Sequence, residues 1–137
     1  MNEHGFVRKV HTKLRVTGRL KKIWKINDNF QGGVPDAFYL GDLDSLWVEY
    51  KYLPKLPKRD TTLVVPDVSE LQYDWLADLQ ACGKNAWVAV GHPNKVWWTQ
   101  DLELCRNGIA RSTFVEESVD TQTFIDLILD TCTGVRG

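Results

Sequence analysis

Three charged residues lie in segments that otherwise resemble buried β-strands. Asp36 opens the run DAFYL, and Glu49 and Lys51 interrupt the aromatic run LWVEYKYL. Burying a charge is costly unless it is paired or bound to a metal, so these residues either point to solvent or bind something. Because side chains alternate between the two faces of a strand, Glu49 and Lys51 project from the same face.

Pairing of these two strands would bring the Asp36 carboxylate close to that of Glu49. Two carboxylates so near each other repel unless a cation lies between them. Oxygen ligands favour a hard ion, so the pair predicts a Mg²⁺ or Mn²⁺ site. Lys51, on the same face as Glu49, could then hold a water molecule or offset charge on a phosphate. Asp36 could instead cap the turn after Pro35, but Glu49 has no such local explanation.

Hydrophobic periodicity predicts the elements that surround these three residues. Residues 3–15 predict a helix, and Glu3 lies on its apolar face, so the Glu3 carboxylate should point at the body of the domain. Strands are predicted up to Asn27, over DAFYL and over LWVEYKYL, with breaks at QGGVPD and GDLDS. Their short connections favour an antiparallel meander. The apolar positions of the helix are Phe6, Val7, Val10 and Leu14.

The second half of the chain predicts further elements of one mixed α/β domain spanning residues 1–137. Residues 69–83 predict a helix with a capping box formed by Ser69 and Gln72 and a C-terminal cap at Gly83. The apolar run NAWVAVG is typical of a strand covered on both faces. KVWWT predicts a strand, and DLELCRNG and TQTFIDLILDTC predict helices, whereas residues 54–68 are predicted to form a long loop. The apolar stripe predicted for the capped helix is Leu71, Trp75, Leu76 and Leu79.

The charge of the chain is polarised along its length. Residues 1–25 carry eight basic side chains against Glu3, whereas residues 60–137 carry five basic and twelve acidic ones. A basic segment beside an acidic body suits a polyanion such as nucleic acid, and Arg8 and Lys9 are candidate contacts. A solvated helix followed by a solvated edge strand is the alternative interpretation.

A second basic cluster directly follows the LWVEYKYL strand. Lys55, Lys58 and Arg59 lie in the predicted loop that leaves the proposed metal site. These residues either contact phosphates or are simply solvated, and their position beside the site favours phosphate contact.

The composition excludes several classes of protein. No apolar run approaches the ~20 residues that a transmembrane helix requires, so no membrane partner is expected. The first residues lack the apolar core of a signal peptide. Cys82, Cys105 and Cys132 form no CxxC pair, which argues against a zinc site or a disulfide framework. We therefore expect reduced thiols and a cytoplasmic location.

The order of the motifs resembles that of the PD-(D/E)xK nuclease superfamily. WKIND, GGVPDAFYL, LWVEYKYL and SELQYDWLADLQACGKNAWVAVG look like the virus-type replication-repair nuclease (VRR-NUC) family. That family shows a GxPD strand, an ExK strand, a helix opening with Gln and an apolar strand after a Gly. The resemblance covers roughly residues 3–99, and no motif covers residues 100–137. It implies a restriction-endonuclease-like fold, with a central mixed sheet flanked by helices.

The resemblance also implies roles for the charged residues. Asp36 and Glu49 match the metal-binding carboxylates, and the backbone carbonyl of Tyr50 would be a further ligand for Mg²⁺ or Mn²⁺. Lys51 matches the catalytic lysine. Glu3 looks like the acidic residue of the family's first motif and is a further candidate ligand.

Gln72 resembles the Gln that lies near the active site in that family, although the capping box alone would also explain it. The family hydrolyses DNA with divalent metal, and stand-alone viral members act as dimers on branched DNA. We therefore expect a metal-dependent endodeoxyribonuclease that cleaves branched DNA such as Holliday junctions. The resemblance also implies a bacterium or a phage-infected host cell. The alternatives are a non-catalytic DNA-binding module of the same fold, or a nuclease that acts on linear DNA ends or RNA.

Two apolar features suggest a homodimer. Trp97 and Trp98 are adjacent in a predicted strand and must face opposite ways, so one of them could be exposed for base stacking or subunit contact. The apolar face of FIDLIL in the last helix could likewise form an interface, since large exposed apolar patches usually mark one. The same helix could equally complete the core of the monomer.

Overall fold

The computed structural model describes residues 1–27 and 31–134, which form five helices and seven strands. Their order confirms a mixed α/β fold in which helices alternate with groups of strands. The elements are α1 (Glu3–Thr17), β1 (Lys22–Lys25), β2 (Ala37–Leu40), β3 (Ser45–Tyr52), β4 (Leu63–Val64), α2 (Glu70–Ala81), β5 (Asn85–His92), β6 (Lys95–Thr99), α3 (Leu102–Asn107), β7 (Ile109–Ala110), α4 (Arg111–Glu117) and α5 (Thr121–Thr133).

Five strands form the central sheet in the order β1-β2-β3-β5-β6. The first three strands pair antiparallel, which confirms the predicted meander. β5 returns parallel to β3 after α2, and β6 then pairs antiparallel with β5. β3 thus lies at the centre of the sheet, between a hairpin partner and a parallel neighbour, which is where a buried site is best held. β4 and β7 form a separate two-stranded sheet.

Helices cover both faces of the sheet. α1 and α5 pack together on one face, against β3. α2 packs on β5 from the other face, where α3, α4 and the small sheet complete a second core. β5 is buried along nearly its whole length, which confirms the prediction made from its continuous apolar run.

The apolar face of α5 is not an exposed patch. Phe124 and Ile128 are completely buried in the core that α5 shares with α1. Trp97 and Trp98 face opposite sides of the sheet as predicted, but Trp97 is buried and half-buried Trp98 packs against Trp87 with ring centroids 4.3 Å apart. The apolar interface predicted from these residues was therefore wrong, because the same chain supplies the cover.

Three other expectations differ from the structure. The predicted loop 54–68 contains β4, which pairs with β7, and neither β7 nor α4 was predicted. In α2, Leu71 is 57 % exposed whereas Tyr73 is buried, because the helix presents its 73/76 side to the sheet. Such short elements depend on contacts made far along the chain and carry little periodicity of their own.

No helix in the described part of the chain combines the length and the apolar character that crossing a membrane requires.

A buried polar chain joins α1 to the two strands that carry the charged motif. His11 Nε2 lies 2.8 Å from the Tyr39 hydroxyl, which lies 2.7 Å from the Tyr50 hydroxyl. Burial, and then the charges of Arg15 and Lys25, lower the pKa of His11 to about 4. His11 is therefore neutral at neutral pH and can exchange one hydrogen bond with Tyr39.

We expect acid to destabilise the protein through His11. Its folded pKa lies below the ordinary 6.5, so its contribution to stability is present above pH 6.5 and lost as the pH falls toward 4. His11→Gln keeps a hydrogen-bonding group but does not titrate. As the pH falls from neutral to 4, the wild type should lose about 2 kcal/mol more free energy of unfolding than His11→Gln does. Urea denaturation at each pH measures this difference. Parallel pH profiles for the two proteins would contradict a neutral buried imidazole.

Candidate metal centre

The β2–β3 hairpin brings Asp36 beside the middle of β3. Ala37 lies opposite Val48, and the Gly41 N–H donates to the Asp44 carbonyl across the turn. In an antiparallel pair, hydrogen-bonded residue pairs recur at every second position. Because Gly41–Asp44 is a hydrogen-bonded pair, Ala37–Val48 is one as well. The next hydrogen-bonded pair lies two residues further along each strand and therefore skips Asp36.

That next pair would join Pro35 to Tyr50. Proline has no N–H to donate, so the ladder ends there. The Tyr50 N–H donates instead to Asp36 Oδ2, at 2.8 Å. The Pro-Asp sequence therefore ends the ladder, fixes the Asp36 carboxylate and leaves the Tyr50 carbonyl without a ladder donor.

Glu49 is a buried acid with an unsatisfied oxygen. Its side chain is 2 % exposed, and its Oε1 atom has no hydrogen-bond partner. Burial and then repulsion by Asp36 raise the pKa of Glu49 to about 9, against the opposing effect of Lys51. An ionised Glu49 beside Asp36 thus requires more positive charge than Lys51 alone provides.

Gln72 connects Glu49 and Lys51 to α2. Its Nε2 donates to Glu49 Oε2 at 3.0 Å, and its Oε1 accepts from the Lys51 ammonium at 3.2 Å. The same Oε1 also accepts from the Ser69 N–H, which completes the predicted capping box. Lys51 Nζ lies 3.4 Å from Glu49 Oε2. Gln72 therefore both caps the helix and contacts Glu49 and Lys51, and its role near an active site stays a prediction.

A close backbone approach holds α2 in this position. Gly33 has φ +90°, and a Cβ atom there would clash with the backbone of Leu71, next to Gln72. Only glycine permits both that conformation and that contact. The GG break before Pro-Asp thus packs the start of β2 against the first turn of α2.

Glu3 reaches the site from the other face of the sheet. It lines a pocket of about 210 Å³ together with His4, Val7, Asp36 and the end of β1, which we term the carboxylate pocket. Burial and the Asp36 carboxylate raise the pKa of Glu3. Within residues 1–27 and 31–134, no three His, Cys, Asp or Glu side chains are grouped closely enough to hold a metal together. Glu3 therefore lies at the rim of the site, and its direct ligation of a metal stays a prediction.

A cationic cluster at the carboxylate pocket was missed in the sequence. His4 Nδ1 lies 2.9 Å from Lys25 Nζ, and His4 Nε2 lies 2.7 Å from an Arg8 guanidinium nitrogen. The Arg8 guanidinium and the Lys25 ammonium carry more N–H donors than the His4 ring can accept. The remaining donors of this cluster are available to an anion. The i, i+4 spacing of His4 and Arg8 is visible in the sequence, but the approach of β1 is not.

The other predicted nucleic-acid contacts lie outside this pocket. Lys55, Lys58 and Arg59 are exposed on the segment that leaves β3, and Lys55 lines a separate groove with Leu56 and Leu63. Lys9 is half-buried on α1 and is not among the described residues that line the carboxylate pocket.

The donor set suits a hard divalent cation. Asp36 and Glu49 offer carboxylate oxygens, one of them buried without a partner, and the Tyr50 carbonyl lacks a ladder donor. Mg²⁺ and Mn²⁺ prefer oxygen ligands and usually retain several waters, so two carboxylates and one carbonyl are sufficient protein ligands. The residues present therefore fit the cation that the sequence predicts.

Comparison with known proteins shows the fold. No protein-family model matches this sequence, and no curated protein is similar enough to count as a relative. Among solved structures, the chain is similar to Hjc, a Holliday junction resolvase from the archaeal hyperthermophile Archaeoglobus fulgidus, with 16 % identity and a TM-score of 0.54. The match covers 88 % of this chain and 98 % of that one, so it extends beyond residues 3–99 into the C-terminal segment. The protein has the restriction-endonuclease-like fold.

Proposed function

We propose that this protein is a divalent-metal-dependent endonuclease that hydrolyses phosphodiester bonds in branched DNA, such as Holliday junctions. The observation that carries the proposal is the buried Glu49 carboxylate, which interacts with the Asp36 carboxylate and whose Oε1 accepts no hydrogen bond. A protein that only bound DNA would gain nothing from this costly arrangement. The likeness to the fold of an archaeal resolvase and the resemblance to the VRR-NUC family support the same proposal.

Asp36, Glu49 and the Tyr50 carbonyl would hold Mg²⁺ or Mn²⁺, with Glu3 adding negative charge at the rim. When bound, such a cation stabilises charge on a phosphate and acidifies water. The protein fixes the ligands in advance: the Tyr50 N–H holds Asp36, and the Gln72 amide holds Glu49. Preorganised ligands cost little rearrangement when the reaction begins.

Lys51 supplies positive charge where phosphate charge develops. Its side chain is 18 % exposed, and Gln72 Oε1 and Glu49 Oε2 lie within 3.4 Å of its ammonium. An ammonium has three donors, so one N–H remains for a phosphate oxygen or the attacking water. Gln72 acts as a positioning residue, since it aims both Lys51 and Glu49 without needing to touch the substrate.

The proposal includes a homodimer and a preference for branched DNA. A four-way junction has two related cleavage positions, and a two-fold pair of active sites matches that symmetry. Because α5 and the tryptophans of β6 complete the chain's own core, other surfaces would form the subunit contact. Light scattering at micromolar concentration tests this part, and a mass near 15.7 kDa under conditions where junctions are cut in paired strands would reject it.

The exposed basic segment after β3 is expected to contact phosphates. Replacing Lys55, Lys58 and Arg59 together with Ala should weaken binding to all sequences and reduce the slope of log K against log salt by roughly 0.9 for each lost contact on duplex DNA. A double variant at Lys84 and Lys95, which are exposed outside the basic segment 1–25, is the control. Equal slopes for the two variants would mean that the segment is solvated and does not contact DNA.

A cleavage assay tests the proposed function. Labelled four-way junction, linear duplex, linear single strand and RNA are incubated with the protein in Mg²⁺ or in EDTA. We expect cleavage of the junction in Mg²⁺ alone, and more slowly of the linear duplex. Equal rates on the junction and the linear duplex would reject the structural preference, and an absence of cleavage on every substrate would reject the nuclease.

A further inference from the structure

An open pocket lined by tryptophans lies on the α2 side of the sheet. Trp24, Trp47 and Trp75 line it, together with Val34 and the end of β1, and its volume is about 590 Å³. We term it the aromatic pocket. Its volume falls within the ~300–1,000 Å³ typical of small-ligand sites.

Strand register builds this pocket. Trp24 lies opposite Phe38, and Phe38 lies opposite Trp47, so three aromatic side chains form a row across β1, β2 and β3. The ring centroids are 6.4 Å apart for the first pair and 4.7 Å apart for the second. α2 packs mainly on β5, and Trp24 on the edge strand remains 54 % exposed. Trp24 is therefore the exposed end of a contiguous aromatic patch with half-buried Phe38 and Trp47, and such patches mark interaction sites.

The aromatic pocket shares a wall with the carboxylate pocket. Lys25, Ile26 and Asn27 line both of them. Trp24 and Lys25 are adjacent in a strand and point to opposite faces, and Lys25 contacts His4 at the carboxylate pocket. One nucleotide could therefore place its base in the aromatic pocket and its phosphate near the carboxylate pocket.

We propose that the aromatic pocket binds an unpaired nucleobase of the DNA next to the phosphate that is cut. The inference rests on the proposed function and deepens it, because base pairs at a branch point lose stacking on one side and open more readily than those inside a linear duplex. Aromatic faces stack on any base without reading its sequence, and the Lys22 and Lys25 ammoniums complement the attached phosphates. A protein partner or a second copy of this chain would not require that positive charge.

Trp24→Ala tests the inference, since the exposed ring contributes little to the core. The probe is a four-way junction carrying 2-aminopurine at the branch point, and a fully paired linear duplex of the same length is the reference, both in EDTA so that no cleavage occurs. We expect roughly tenfold weaker binding of the junction and loss of 2-aminopurine quenching, with less than about twofold change for the paired duplex. Trp24→Phe should retain most of the affinity because it keeps an aromatic face. Leu43→Ala, at an exposed apolar residue on the β2–β3 turn, should behave as the wild type.

Two results would overturn the inference. Equal losses of affinity for junction and paired duplex would mean that Trp24 does not detect an unpaired base. If Trp24→Ala halves the mass measured by light scattering but keeps the preference for the junction over the paired duplex, the pocket is a contact between copies of the chain. The proposed function fails separately: an absence of cleavage of every substrate in Mg²⁺ would reject the nuclease. The 2-aminopurine signal and its loss in Trp24→Ala are measured in EDTA and do not depend on cleavage.

Discussion

Asp36→Asn and Glu49→Gln are each expected to reduce the rate of junction cleavage in Mg²⁺ by about 10³-fold or more. Each change removes one anionic ligand at nearly constant volume. A bound divalent cation is worth several kcal/mol of transition-state stabilisation, and each ~1.4 kcal/mol corresponds to a tenfold change in rate. The fold should persist, because the amide that replaces each carboxylate retains hydrogen-bonding groups for the neighbouring donors and acceptors.

Single-turnover cleavage measures this loss, and circular dichroism checks the fold. Affinity for DNA should stay equal or increase in both variants, because negative charge near the phosphates is removed. Glu116→Gln, at an exposed acid on α4, is the matched control and should cleave at the wild-type rate. Full Mg²⁺-dependent activity in the Asp36 and Glu49 variants would refute the assignment of the site.

Lys51→Ala is expected to reduce the single-turnover rate by about 10²–10³-fold, with a much smaller effect on DNA affinity. In the proposed mechanism the ammonium acts where negative charge develops in the transition state, so its loss should lower the rate and leave ground-state binding largely intact. Lys51→Arg should restore only part of the rate, since a planar guanidinium does not fit the space between Gln72 and Glu49 as a compact ammonium does.

Lys84→Ala provides the control for Lys51, because it removes an exposed lysine beyond the end of α2. If Lys51→Ala lowers DNA affinity by the same factor as it lowers the single-turnover rate, Lys51 acts only as a phosphate contact that binds the substrate. A wild-type single-turnover rate in Lys51→Ala would remove it from the mechanism.

The local pattern of the sequence was sufficient to predict how the three charged residues are arranged. Alternation along β3 placed Glu49 and Lys51 on one face, and the Pro-Asp break placed Asp36 beside them, as the hairpin register and the Asp36–Tyr50 hydrogen bond now show. Both predictions depend only on strand geometry and on one turn. The capping box of α2 was predictable for the same reason, since Ser69 and Gln72 are three residues apart.

The remaining features depend on contacts between distant segments. Gln72 reaches Lys51 and Glu49 only because Gly33 lets the β2 break pack against α2. Lys25 meets His4 through the approach of β1 to α1, which no local pattern indicates. The apolar face of α5 signalled burial correctly, but the sequence alone could not say whether the same chain or a second copy would cover it.

The measurement that tests the central claim most directly is the melting temperature at about pH 8, in EDTA and in excess Mg²⁺, for the wild type and Glu49→Gln. The folded pKa of Glu49 is raised to about 9 from its ordinary 4.5, so the stability of the metal-free protein falls as the pH rises between these values. Glu49→Gln removes this titration and one ligand. It should therefore melt higher than the wild type in EDTA and should respond little to Mg²⁺.

The wild type should gain about 2 kcal/mol from Mg²⁺ at concentrations well above its Kd, which corresponds to a melting temperature higher by about 6–8 °C. Glu116→Gln should show the same gain as the wild type. An equal Mg²⁺-dependent rise in Glu49→Gln, or no rise in the wild type, would contradict a divalent cation held between Asp36 and Glu49.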